Sequence, residues 1–203
     1  NMTNILQLVI SPPKNFDGNS ITGPERRAAR LSKKWRNRGF NLIVCYPKRG
    51  RLNRDFEKAG VKVIDFEIKS KFNMISIIKL IKIILQNNIK IVHSQGPASL
   101  DLIMSISALF TKTKSIITRP VMLSDQNHIN ILKRKIYEFI DKNITLKIVD
   151  KIICVSNDGL VRMNSEYGVP FSKLKLIYNG VDSEKIKPQS NQGNIFNIAM
   201  IGQ

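Results

Sequence analysis

The chain has 203 residues, 42% of them hydrophobic, and carries 33 Lys and Arg against 15 Asp and Glu for a formal charge of +18. That length and apolar content suffice for a buried core and exclude a wholly disordered chain. The longest apolar stretch, Met74–Leu85, is broken by Ser76, Lys79 and Lys82 and is far shorter than the roughly 20 residues that span a bilayer, while the positive charge favours anionic partners such as phospholipid, nucleic acid or phosphorylated small molecules.

Read from the amino terminus, apolar runs of strand length alternate with helical patterns. Ile5–Ile10 is the first strand, entered without the charged region, apolar core and cleavage site of a secretory signal, so a cytoplasmic location is expected. A loop from Ser11 to Gly23 leads into a helix over Pro24–Arg38, with Ala28, Leu31 and Trp35 as its inward stripe and Gly39 as its stop. Strands at Leu42–Tyr46 and Val61–Phe66 flank a helix at Asn53–Ala59 ended by Gly60. The next helix, Asn73–Asn87, is apolar nearly all round, which suits a position wedged between a sheet and a neighbouring helix.

Strands at Ile91–His93 and Ser115–Thr118 enclose a helix at Ala98–Phe110. A longer helix, Ile131–Lys147, sets Leu132, Ile136, Phe139 and Ile140 against Lys133, Arg134, Lys135 and Lys142. Then come a strand at Ile152–Val155, a helix at Asn157–Tyr167 ended by Gly168 and Pro170, and a strand at Leu174–Tyr178. Strict alternation of this kind predicts an α/β fold: a Rossmann-like parallel sheet with helices on both faces. After Lys185 the sequence turns polar and aperiodic, then Ile195–Gly202 reads as a new strand with no helix after it. The expected division is a domain over residues 1–186, with 187–203 a linker and the first strand of a second domain that continues beyond this sequence; residues from about Pro188 onward are expected to be mobile or docked irregularly.

Ligands of an open parallel sheet sit beyond the carboxyl ends of its strands. Gly23 before Pro24 leaves helix amides facing the first such loop, which reads either as an ordinary turn or as a phosphate cradle, although no dinucleotide fingerprint follows the strand. His93 ends the fourth strand, as a histidine bonded to backbone or as a cleft residue. Arg119 follows the fifth strand, either exposed ahead of Pro120 or offering its guanidinium to phosphate or carboxylate. Ser156 caps the helix after the sixth strand, and Asn179-Gly180 reads as a tight turn that shapes the cleft floor. Eleven basic residues fall between Arg26 and Arg54 with no acid among them, as a solvated face or as a surface for anions. Cys45 and Cys154 lie in apolar runs and read as buried free thiols. His93 and His128 are the only histidines, so no metal site is expected.

Several of these segments match a known family in order. The run TGPERRAARLSKKWRNRGF resembles the opening helix of the group 1 (family 4-like) glycosyltransferases, with Gly23, Glu25, Arg26, Leu31, Trp35 and Gly39 in register and Thr22 in place of the family's first turn glycine. IVHSQGP, VDKIICVSNDG and KLKLIYNGVDSEKIKP, whose core is Asn179-Gly180-Val181-Asp182, are similar to later family segments, and IAMIGQ resembles the first strand of the donor domain. The resemblance implies the N-terminal, acceptor-binding half of a GT-B fold. It also implies transfer of a hexose from a nucleotide sugar to a glycan or lipid-linked acceptor with retained configuration, in cell-surface polysaccharide biosynthesis, without metal or other cofactor. The family's paired donor-holding glutamates lie in the second domain, so catalytic residues are expected there and this fragment alone should be inactive.

By the same resemblance, Thr22, Gly23, His93 and Arg119 are candidates for binding acceptor or donor phosphate, with Arg119-Pro120 standing where many relatives have a histidine. Arg26, Arg30, Lys33 and Lys34 are the expected contacts to an anionic membrane, which would place the enzyme at the inner membrane face. Alternatives are another GT-B enzyme such as a sugar-nucleotide epimerase, a catalytically dead homologue, or a basic non-enzymatic domain that binds membrane or nucleic acid. Against nucleic acid, the sequence shows no helix-turn-helix, zinc-finger or ribonucleoprotein motif.

Overall fold

The computed structural model describes residues 2–9, 23–48, 52–68, 74–119 and 131–180, with the side chains of Pro24, Lys33 and Lys133 left aside. Ser11–Thr22 and everything from Val181 onward, including the expected linker and new strand, lie outside the described residues.

Seven strands make one sheet: β1 (Asn4–Leu8), β2 (Asn41–Tyr46), β3 (Lys62–Asp65), β4 (Ile91–Ser94), β5 (Lys114–Arg119), β6 (Lys151–Cys154) and β7 (Leu174–Leu176). Their order is β3-β2-β1-β4-β5-β6-β7 and every neighbouring pair is parallel. Parallel strands are buried on both faces, which is why they read as unbroken apolar runs rather than as alternations. In β1, Leu6 and Leu8 enter one core cluster and Ile5 the other, where the following Val9 joins it.

Right-handed crossovers decide which helices cover which face. The path β1 to β2 to β3 puts α1 (Gly23–Arg36) and α2 (Asn53–Lys58) on one face, where Ala28 and Phe56 pack with Val44 and Tyr46. The path then returns across the sheet to β4 and runs on to β7. It places α3 (Met74–Gln86), α4 (Ala98–Thr111), α6 (Leu146–Ile148) and α7 (Asn157–Ser165) on the other face, over Ile117, Ile152 and Cys154. The strand order reverses direction between β1 and β4, so the carboxyl ends of these two strands form the switch point of the sheet.

Three helices differ from the sequence reading. In α1 the buried positions are Glu25, Ala28 and Ser32, with Trp35 and Leu31 only half-buried, so the inward stripe is partly polar. Ser32 can face the sheet because its Oγ donates to the Ala28 carbonyl (2.7 Å) and reaches Gln7 Oε1 at 3.4 Å. α3 buries Ile77, Leu80, Ile83 and Ile84 against sheet and α4, but it leaves Met74, Ile75, Ile78 and Leu85 exposed rather than wedged.

The helix expected over Ile131–Lys147 is divided into α5 (Ile131–Ile140), a π-helical stretch at Asp141–Thr145, and the single turn of α6. Leu132, Ile136 and Phe139 of α5 are 68%, 48% and 68% exposed, so its apolar stripe points outward. The wider π turn brings Asp141 and Thr145 inward together, and such stretches recur at functional positions. Among the described residues no helix is long and apolar enough to cross a membrane.

Candidate functional site

The carboxyl edge of the sheet carries two polar clusters, one on each face. Side chains alternate along a strand, and His93 is the register partner of Ile116 on β5 and of Gln7 on β1, so Gln7, His93 and Thr118 share a face. That face is the one beneath α1: the His93 ring lies 5.8 Å from the Trp35 ring, and Gln7 meets Ser32. His93 is 3% exposed, and its Nε2 is 2.8 Å from Thr118 Oγ1. Burial, with the charge of Arg27 behind it, lowers the imidazole pKa to about 4, so the ring is neutral at physiological pH. Thus His93 is bonded to a side-chain hydroxyl, where the sequence left open a backbone partner or a place in the cleft.

Arg119 ends β5 one residue beyond Thr118 and therefore points to the opposite face, beneath α4. Its Nη2 donates to Asp141 Oδ1 at 2.7 Å and lies 3.0 Å from Asp101 Oδ2, with all three side chains at most 6% exposed. Burial alone would lower the guanidinium's pKa, but the two carboxylates outweigh it and hold the group above its ordinary value. For the carboxylates burial wins despite the guanidinium: Asp101 is raised to about 7, and Asp141 moves in the same direction. Arg119 is therefore neither exposed nor in one cleft with His93. Its charge is already matched inside the molecule, which corrects the expectation that the two side chains line a common site.

The remaining expected positions are separate. Thr22 lies outside the described residues. Gly23 is exposed as the first residue of α1, and a Cβ built on it would meet nothing within 4 Å among the described residues, so local packing does not require glycine. Ser156 caps α7 as expected, its Oγ accepting from the Gly159 amide at 3.0 Å. Asn179 and Gly180 are exposed and neither has a positive φ, and a tight turn centred on them would run on to Val181, outside the described residues. Arg26, Arg30 and Lys34 are exposed on one side of α1, whereas the side chain of Lys33 is not described. Cys45 and Cys154 are buried free thiols, and burial raises Cys45 to about 12, which leaves it inert.

Sequence reasoning missed Gln7, Arg27, Asp101 and Asp141. A signal existed for two of them, since Gln7 is the lone polar residue of the run ILQLVI and Asp101 the lone charged residue of ASLDLIM. For Arg27 and Asp141 none did, because each stands among other charged or polar residues and only the fold selects it.

Residues 21–185 match the family model described as Glycosyltransferase Family 4. The chain belongs to Glycosyltransferase Family 4. Its sheet is that of an N-terminal GT-B domain, and several solved structures share it. A glycosyltransferase from Rickettsia africae ESF-5 is 21% identical with a TM-score of 0.65, the match covering 93% of this chain and 47% of that one. Anabaena Alr3699/HepE, solved with UDP and glucose, is 16% identical with a TM-score of 0.67 over 91% of this chain and 46% of its own. The UDP-GlcNAc 2-epimerase from Neisseria meningitidis, solved with UDP-GlcNAc, is 12% identical with a TM-score of 0.59 over 86% of this chain and 45% of its own. At these identities the likeness is one of fold, and this family-4 chain spans about half the length of each structure. No curated protein matches the sequence.

Proposed function

We propose that this family-4 chain is the acceptor-binding part of a retaining glycosyltransferase that moves a hexose from a nucleotide sugar to a glycan or lipid-linked acceptor, in assembly of a cell-surface polysaccharide. The observation that carries this reading is the family match over residues 21–185, which spans both the α1 helix and the segment around Asn179. The switch point between β1 and β4 supplies the place for a substrate. UDP in the Anabaena structure supports a nucleotide-sugar donor. On this reading the donor-holding residues lie in a second domain, and residues 1–203 alone do not transfer sugar.

The test offers labelled nucleotide sugars to the full-length enzyme with extracted membrane lipids and glycans as acceptors. Label should enter the acceptor fraction; return of all label as free sugar or unchanged donor would count against transfer.

The acceptor's location is part of the same proposal. The exposed side chains of Arg26, Arg30 and Lys34 support docking on an anionic bilayer, each engaged charge contributing on the order of 1 kcal/mol. Sedimentation with anionic vesicles at low salt should exceed that with neutral vesicles, and should fall at high salt and in a variant with Arg26, Arg30, Lys33 and Lys34 changed to Gln. Equal sedimentation in all arms would point to a soluble acceptor.

A further inference from the structure

Between β5 and β6 the chain returns from the carboxyl edge of the sheet to its amino edge, and the π stretch with α6 makes that return. Asp141 bonds Arg119 at the end of β5, and Lys151, three residues after α6, opens β6. Ile140 keeps helical dihedrals (φ −64°, ψ −45°), so α5 runs into the π stretch without a break. Its ten residues precede Asp141 and therefore extend past the carboxyl edge, as about 15 Å of helix. The main packing partner of α5 among the described elements is the π stretch that continues it. This placement accounts for the outward stripe: the sheet stops short of Leu132, Ile136 and Phe139, which repeat at i, i+4 and i+7 on one exposed face.

The flanks of that stripe are basic. Lys135 is exposed beside it, and Lys142 is exposed two turns further on. The acids between Ile131 and Ile148 are Glu138 and Asp141, which face Arg134 at 3.8 Å and Arg119 at 2.7 Å, so neither offsets the lysines. A helix with Leu, Ile and Phe along one face and lysines beside them suits the headgroup layer of a bilayer, where the apolar side chains enter the acyl boundary and the ammonium groups stay among the phosphates. Exposed apolar patches of this kind mark binding surfaces. A second copy of the chain is the wrong partner, since it would bring another charge of +18 against these lysines, whereas an anionic headgroup layer attracts them.

We infer that α5 is a membrane-inserting element, which lies in the plane of an anionic bilayer with Leu132, Ile136 and Phe139 in the acyl boundary. The inference rests on the bilayer docking proposed above for its partner, and it names the element that enters the lipid. The charges of α1 draw the protein to the surface; the stripe of α5 holds it there when salt screens those charges. Inserted in this way, α5 turns the carboxyl edge of the sheet, with the switch point between β1 and β4, toward the bilayer.

The experiment is sedimentation of the full-length protein with phosphatidylcholine vesicles containing phosphatidylglycerol, at low and high salt. A variant with Leu132, Ile136 and Phe139 changed to Gln should bind about tenfold less or weaker still, and should lose the binding that the wild type retains at high salt. Its unfolding temperature should match the wild type's or exceed it, because the side chains removed are exposed and Gln is a good helix former. Insertion is read separately through Phe139→Trp, whose added fluorescence should be quenched by brominated acyl chains beyond the quenching of Trp35 in the wild type. Binding unchanged in the stripe variant but lost when Arg26, Arg30, Lys33 and Lys34 are changed to Gln would overturn insertion and keep docking by charge. Stripe-dependent binding that the α1 changes leave intact would keep insertion and reject docking through α1. No vesicle binding by the wild type would overturn both. An unquenched Phe139→Trp signal, a lowered unfolding temperature in the stripe variant, or a stripe-dependent dimer without vesicles would each overturn insertion.

Discussion

The guanidinium of Arg119 sits between two carboxylates in a space closed to water, and its removal would strand both acids without a countercharge. Arg119→Leu should lower stability by about 3–5 kcal/mol in urea unfolding, the range seen when one partner of a buried pair is lost. A loss below about 1 kcal/mol would mean that the cluster is open to solvent. The cluster also predicts a pH dependence. Asp101 titrates at about 7 in the folded protein against 3.8 ordinarily, so between those values the folded state holds a proton that the unfolded state has released. Stability from this group is complete below pH 3.8 and is lost as pH rises through 7. The unfolding temperature should therefore decline across that window in the wild type, and the decline should shrink in Asp101→Asn. The sequence let Arg119 be singled out because it ends a strand, but not its partners, since Asp101 and Asp141 reach it from different elements that only the folded sheet brings together.

Helix ends were legible where glycine marks them, as at Gly39 (φ 82°) after α1 and Gly60 (φ 67°) after α2. They were less so where another residue does the same work. Lys112 closes α4 with φ 53°, a left-handed conformation that costs a β-carbon-bearing residue energy. Lys112→Gly should raise stability by up to about 1 kcal/mol, read as a higher unfolding temperature; a lower temperature would show that the lysine side chain contributes more than its backbone costs. Conversely, Ser156→Ala removes the cap of α7 and should cost about 1 kcal/mol. Periodicity placed α5 but could not say which way its stripe faces, because Leu132, Ile136 and Phe139 repeat as a core face would and yet lie outside. Nor does a 3.6-residue period reveal a π stretch, whose extra residue changes facing without changing composition.

At the scale of the whole molecule, the parallel sheet follows from buried strands separated by helices, and its asymmetry from the handedness of the crossovers. Both could be argued before any coordinates, as could the family, since its segments recur in order along the chain and the model match spans residues 21–185. The site was less accessible: strand ends point to an edge of the sheet, but which face a side chain takes depends on register, and His93 and Arg119 fall on opposite faces for that reason. The same fold serves a glycosyltransferase in Rickettsia africae and a 2-epimerase in Neisseria meningitidis, so the chemistry must be decided by product. The most direct measurement is proton NMR of the anomeric region while the full-length enzyme works on its nucleotide sugar and acceptor. The donor's anomeric signal should give way to a glycosidic signal of the same configuration as nucleoside diphosphate accumulates, whereas a second nucleotide-sugar signal, with the sugar still attached and inverted at C2, would contradict the account.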